Sequence, residues 1–246
     1  LRARDLPVEV VGLGGLLTTP EVADVVALLT VAQDPERGDH LMRLLSGPAN
    51  RLGAADLDAL GAWSRALHRR HEPIGPDREG GRETASLVEA LDELPPPDWI
   101  GPEGEHLGEP ARRRLRSLGA AVAQLRTLTG LPLADLVGEA ERLLGLDVEI
   151  LARPDLPAEG ARVHLDAFAD AAASFQAGAD RPTLGAFLAW LEAAAEEERG
   201  LQTPPADVSG TAVQVLTVHA AKGLEWDVVA VPGLIEGAFP ALASAK

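Results

Sequence analysis

Residues 213–231 constrain the fold more than any other stretch. They read V-Q-V-L-T-V-H-A-A-K-G-L-E-W-D-V-V-A-V. Val213–Val218 is short, β-branched and mostly apolar, which predicts a largely buried strand. Asp227–Val231 is a second run of the same kind. The connection between them carries a hydroxyl, an imidazole, an ammonium and a carboxylate: Thr217, His219, Lys222 and Glu225. Such groups at strand ends, joined by a short connection, are where an α/β sheet presents chemistry.

Taken singly, each of these residues has an ordinary reading. A Thr before a His is usually a strand hydroxyl, a lone His a structural imidazole, and a lone Lys or Glu a solvated surface group. Gly223 alone is a turn glycine. Their common register is what carries weight. The chain also has twenty Arg and only two Lys, Lys222 and Lys246, which sets Lys222 apart.

The stretch resembles motif V of the UvrD/Rep/PcrA-like superfamily 1 DNA helicases. Thr217, His219, Ala221, Lys222, Gly223, Leu224 and Glu225 fit that pattern. Gly233, Glu236, Gly237, Phe239 and Pro240 fit the segment that follows it. Trp226 stands where the family has Phe.

Upstream, Val8–Val11 reads as a strand, and Gly12, Gly14 and Gly15 allow a tight exit from it. Thr19 is placed as an N-cap before Pro20 and Glu21. Val22, Val25, Val26 and Leu29 mark one helical face. Gly14, Gly15, Glu21 and Asp24 resemble the family's motif IV region, although its aromatic is absent and Thr19 replaces its Arg. Asp34–Gly53 resembles the entry into the family's inserted 2B domain, through Pro48, Arg51, Leu52 and Gly53. There the turn points backbone amides at a duplex phosphate, an anion site at a helix N-terminus. Asn50 near the usual basic position and a lost glycine keep a plain helix–helix turn open as the alternative.

The middle of the chain is helical. Ala54–Arg70 carries Leu57, Leu60, Ser64 and Leu67 on one stripe, and Ser86–Leu94 reads as a short helix. Glu72–Arg82 reads as a flexible loop. Pro95–Pro110 has five Pro and three Gly, a long surface loop whose Trp99 either anchors it to the core or stacks on a base. Arg112–Leu128 repeats Leu115, Leu118, Val122 and Leu125 at helical spacing. It opens with Arg112, Arg113, Arg114 and Arg116, either a phosphate contact or a solvated helix end. Leu133–Leu144 follows as a helix, and Val148–Leu151 reads as a short strand. Pro157–Ala177 and Thr183–Arg199 are two further helices, the second capped by Thr183.

With α/β material at both ends and helices between, the fold class is α/β with a large helical insertion. The resemblance implies that residues 1–33 and 206–246 form part of a RecA-like P-loop NTPase domain, 2A. Residues 34–205 would be the helical 2B insertion. It further implies ATP-driven 3′→5′ translocation on single-stranded DNA with duplex unwinding, in DNA repair or recombination. Thr217 and His219 would contact DNA phosphates, and Arg51 and Arg112–Arg114 would add to that interface. Gly223 and Glu225 would meet ATP, and Lys222 would couple the two ligands. Two alternatives stay open: a motor subunit of a double-strand-break helicase–nuclease complex, and a non-catalytic module binding a repair protein through the helical region.

The sequence contains no G-x-x-x-x-G-K-[ST] phosphate loop and no D-E-x-Q metal motif. It is read as a fragment of a longer helicase, inactive alone, whose ATP and Mg²⁺ belong to the whole protein. No metal site is expected in this chain, since it has no Cys and its six His are scattered. No apolar run is long enough to span a membrane, and the absence of Cys fits the expected cytoplasmic location. The net charge of −16 opposes nucleic-acid binding by the whole surface and leaves room only for a local basic track.

Overall fold

The computed structural model describes residues 8–10, 13–71, 86–151, 162–196, 213–216, 221, 223 and 225–232. The expected loop at 72–82 and the family-like segment at 233–240 lie outside them. So do Thr217, His219 and Lys222.

The two ends of the chain meet. Strand β1 (Val8–Val10) pairs in parallel with β2 (Val213–Val215), with Val8 opposite Val213 and Val10 opposite Val215. A parallel pair needs a long crossover, and here the helical region supplies it. The valines of β2 are less buried than expected, Val213 being 40% and Val215 44% exposed. A parallel sheet is ordinarily covered on both faces. Among the described residues this one has only two strands. Asp227–Val231, expected as a strand, has no regular structure and no strand partner among the described residues. Of the three glycines placed in a tight exit, Gly14 and Gly15 instead lie within a short helix, α1 (Leu13–Leu17), and Gly12 lies outside the described residues.

Helix α2 (Pro20–Gln33) is the centre of the helical region. Pro20 fits its first turn, where a missing N–H costs nothing, and Thr19 holds the extended N-cap conformation. The Thr19 hydroxyl does not cap α2; it donates back to the Leu16 carbonyl at 2.8 Å. Val22, Val25, Ala27, Leu28, Leu29 and Val31 are all fully buried. A helix buried all round must have neighbours on every side. They are α3 (Gly38–Ser46), α6 (Glu109–Thr127), α7 (Leu133–Leu144), α9 (Val163–Gly178) and α10 (Leu184–Glu196). The division expected between residues 33 and 34 therefore separates two helices, α2 and α3, that pack on each other.

Ion pairs fasten the ends of α3. Arg43 reaches Asp24 of α2 at 2.7 Å, and Arg37, just before α3, reaches Glu192 of α10 at 2.5 Å. Arg37 also pairs with Asp39, and that hydrogen bond draws the Asp39 carboxyl below its ordinary range.

Helix α4 (Ala54–His71) buries Leu60, Ser64 and Leu67 on the expected stripe. Helix α5 (Leu87–Asp92) is capped by Ser86, whose Oγ accepts from the Val88 and Glu89 amides. Trp99 does pin the long loop, meeting Trp63 edge-on with ring centroids 5.3 Å apart. Gly145 ends α7 at φ +68, the left-handed position that favours glycine. The chain then re-enters a helix, α8 (Leu146–Leu151), where a strand at Val148–Leu151 was expected. Short apolar runs do not distinguish the two; buried Leu146 anchors the helical solution. Thr183 caps α10, its Oγ1 accepting from the Ala186 amide at 3.2 Å. Phe168, Phe175, Phe187 and Trp190 pack together between α9 and α10.

Candidate functional site

The described part of the 213–231 stretch is built around a turn. Gly223 has φ +85, and nothing lies within 4 Å of a Cβ built there. Backbone conformation, not crowding, is thus what requires glycine. Any L side chain would sit in the left-handed region, at a cost of roughly 1–2 kcal/mol. Glu225 is exposed beside this turn, and Ala221 is half-buried. The turn returns to its own strand: the Trp226 indole N–H donates to Gln214 Oε1 at 2.5 Å. Sequence reasoning missed this pair. The signal was present, since exchanging Phe for Trp adds one hydrogen-bond donor.

Arg51 stands at the turn before α4 with φ +46, a conformation uncommon for a residue with a Cβ. Its Nε donates to the Pro48 carbonyl at 2.8 Å, closing the turn, while the residue stays exposed. The Gly53 amide already faces Asp56 Oδ2 at 3.4 Å, so the start of α4 has an internal carboxylate.

The arginines opening α6 do not form the single patch expected of them. Arg112 is only 5% exposed, and its Nη2 donates to the Pro95 carbonyl, tying the proline loop to α6. At 5% exposure, with its guanidinium already bonded at the wall of a groove, Arg112 is not part of the exposed basic patch expected of it. Helical periodicity explains the split: Ala111, Arg112 and Leu115 lie on the inward face, Arg113, Arg114 and Arg116 on the outward one. Arg113 and Arg116 both approach Glu109, at 3.8 Å and 3.4 Å. Arg114 is exposed and makes no ion pair with the described residues.

Residues 164–246 match the UvrD-like helicase C-terminal domain. The match spans α9, α10, β2 and the Gly223 turn. The ATP-dependent DNA helicase PcrA of Bacillus subtilis (strain 168) is 24% identical over 221 residues, which is 89% of this chain. Over these stretches the chain is similar to the UvrD/PcrA-like helicases. It spans about a quarter of that helicase, 27% of its length. Among the described residues of this UvrD/PcrA-like chain, no helix is long and apolar enough to cross a membrane, and no cluster of His, Asp and Glu could hold a metal ion.

Proposed function

We propose that this chain is part of an ATP-dependent DNA helicase that moves 3′→5′ on single-stranded DNA and separates duplex in repair or recombination. The observation that carries the reading is the parallel pairing of β1 with β2 across the whole helical region. It brings β2, the strand that leads into the motif V-like stretch, beside the N-terminal strand, as would be expected of a RecA-like 2A domain interrupted by a 2B insertion. ATP and Mg²⁺ would belong to the complete protein. Bound nucleotide would supply the free energy that opens and closes the cleft between motor domains. The residues present fit a nucleotide on one count: the Gly223 backbone is open to approach and Glu225 is exposed next to it. Thr217 and His219 would hold DNA phosphates without reading sequence, and Lys222 would link the two ligands.

The test is ATP hydrolysis and unwinding by the complete protein, with duplexes tailed at the 3′ or the 5′ end. Single-stranded DNA should accelerate hydrolysis, and only the 3′-tailed duplex should open. Hydrolysis indifferent to DNA, or opening of the 5′-tailed duplex alone, would defeat the proposal.

Arg113 and Arg114, with Arg51, are the basic residues of this set left exposed for DNA. Replacing Arg113 and Arg114 with Ala should lower the slope of log affinity against log salt by about 1–2. Arg112→Ala should leave that slope unchanged and reduce stability by about 1–3 kcal/mol, since it strands the Pro95 carbonyl. A slope untouched by the exposed pair would show that these arginines serve the surface only.

A protein-docking role for the helical region is the second reading. What favours it is the open groove of about 600 Å³ between Pro95–Pro97 and α6, lined by Leu91, Leu94, Gly119 and Ala123.

A further inference from the structure

We propose that the groove between Pro95–Pro97 and α6 seats an extended apolar segment of a partner protein, held through one carboxylate side chain by Arg116 with Arg112 behind it. This rests on the protein-docking reading above and names the chemistry of the partner.

The groove has two unlike walls. Pro95, Pro96 and Pro97 form one, and successive prolines offer carbonyl acceptors but no N–H. The Pro95 and Pro96 carbonyls accept from Arg112 and Trp99, while that of Pro97 accepts from no described residue. An extended backbone has N–H groups to give to such a wall. Arg112, Arg116, Gly119, Ala120 and Ala123 of α6 form the other wall. Ala120 and Ala123 are exposed, so small side chains keep it open. From Arg112 to Ala123 the helix rises about 16 Å, the length of about five extended residues. Two bonds tie α6 across the groove: Arg126 Nη1 donates to Asp92 Oδ2 at 2.7 Å, and Arg112 Nη2 donates to the Pro95 carbonyl. The groove is thus formed in advance, which lowers the ordering cost of binding.

Charge selects the occupant. Asp92, the acid in the lining, is matched by Arg126. Arg112 is buried, no described carboxylate pairs with it, and its Nε has no hydrogen-bond partner. A buried charge without a counter-charge is costly. Arg116 stands one turn along, a like charge at the i,i+4 spacing that destabilises a helix. It is exposed and reaches Glu109 only at 3.4 Å, through an oxygen that Arg113 also approaches. One carboxylate brought to Arg116 from outside balances both guanidiniums; an amide or an ammonium does not. A nucleic-acid strand, charged along its whole length, would also meet the exposed acids Asp92, Glu93 and Asp98 beside the prolines. A single acid in an apolar segment avoids them.

The experiment measures fluorescence anisotropy of labelled peptides with the complete protein. The peptides are about five residues long, built of Ala, Val and Leu around one central Glu, Gln or Lys. The Glu peptide should bind about ten-fold more tightly than the Gln peptide, the gain from one charged hydrogen bond over a neutral one. The Lys peptide should bind most weakly. Arg116→Ala should abolish the preference for Glu and leave the Gln peptide unaffected. Ala123→Trp fills the groove from an exposed position and should weaken all three, with melting curves for both variants near that of the wild type. A Glu preference that survives Arg116→Ala, or an Ala123→Trp variant that binds like the wild type, would overturn the proposal. Equal binding of the three peptides, lost in Ala123→Trp, would overturn the carboxylate assignment and leave the docking reading standing. If no peptide binds, and a single-stranded oligonucleotide binds in a way that Ala123→Trp abolishes, both fall in favour of nucleic acid.

Discussion

Trp63→Ala is expected to lower the unfolding free energy by about 3–5 kcal/mol. Trp63 is among the largest fully buried side chains, 1% exposed, and it joins three parts of the chain. Its indole N–H donates to the Glu93 carbonyl at 2.5 Å, closing α4 onto the end of α5. Trp99 packs edge-on against it at an interplanar angle of 74°, the geometry favoured by the ring quadrupole. The Arg70 guanidinium lies over the ring at 5.3 Å. Truncation removes all three contacts and leaves a cavity into which the surroundings relax only in part. Since folded domains are stable by only about 5–15 kcal/mol, such a loss is a large fraction of the total. Trp63→Phe keeps one aromatic ring and gives up the hydrogen bond and part of the buried volume, so about 1–3 kcal/mol should be lost. Urea unfolding of the two variants measures both. A loss below about 1 kcal/mol for Trp63→Ala would mean that Trp63 is not the centre of this packing.

On the helicase function proposed above, Lys222→Ala in the complete protein is expected to reduce DNA-stimulated ATP hydrolysis and unwinding by roughly 10- to 100-fold, with near-normal thermal stability. The magnitude is that of one charge-assisted hydrogen bond, about 1.5–3 kcal/mol, lost where the two ligands are coupled. Glu225→Gln is the companion. It keeps shape and removes charge, so the contact to a ribose hydroxyl proposed for it should weaken without vanishing. The apparent KM for ATP should rise by up to about ten-fold, with a smaller fall in maximal rate. Glu225 is exposed, so its stability cost should stay within about 0.5 kcal/mol. Hydrolysis with and without single-stranded DNA, beside a melting curve, measures all of this. If Lys222→Ala unfolds the protein, or leaves unwinding untouched, the coupling role is wrong.

What the sequence determined is local in origin. The register of Thr217 through Glu225 was legible because those residue types stand at fixed spacings along one short segment. The helices at Ala54–His71, Glu109–Thr127, Leu133–Leu144 and Leu184–Glu196 were legible through apolar repeats and caps. A period and a cap are properties of neighbouring residues, and they survive whatever the rest of the chain does. Tertiary structure decided whatever depended on distant partners. The pairing of β1 with β2 is one such case, since no local pattern names a strand's partner. Val148–Leu151 is another, a run equally apolar as strand or helix that became α8 behind the Gly145 turn. Arg112 and Arg113 are adjacent and chemically identical, yet one is buried against Pro95 and the other is solvated beside Glu109. Their phase on the Leu115–Leu118–Val122 period separates them, and only the packing of the proline loop on α6 gives Arg112 its partner, the Pro95 carbonyl. The bond from Trp226 to Gln214 has the same character: donor and acceptor can be read in the sequence, but only the reversal at Gly223 brings them within reach.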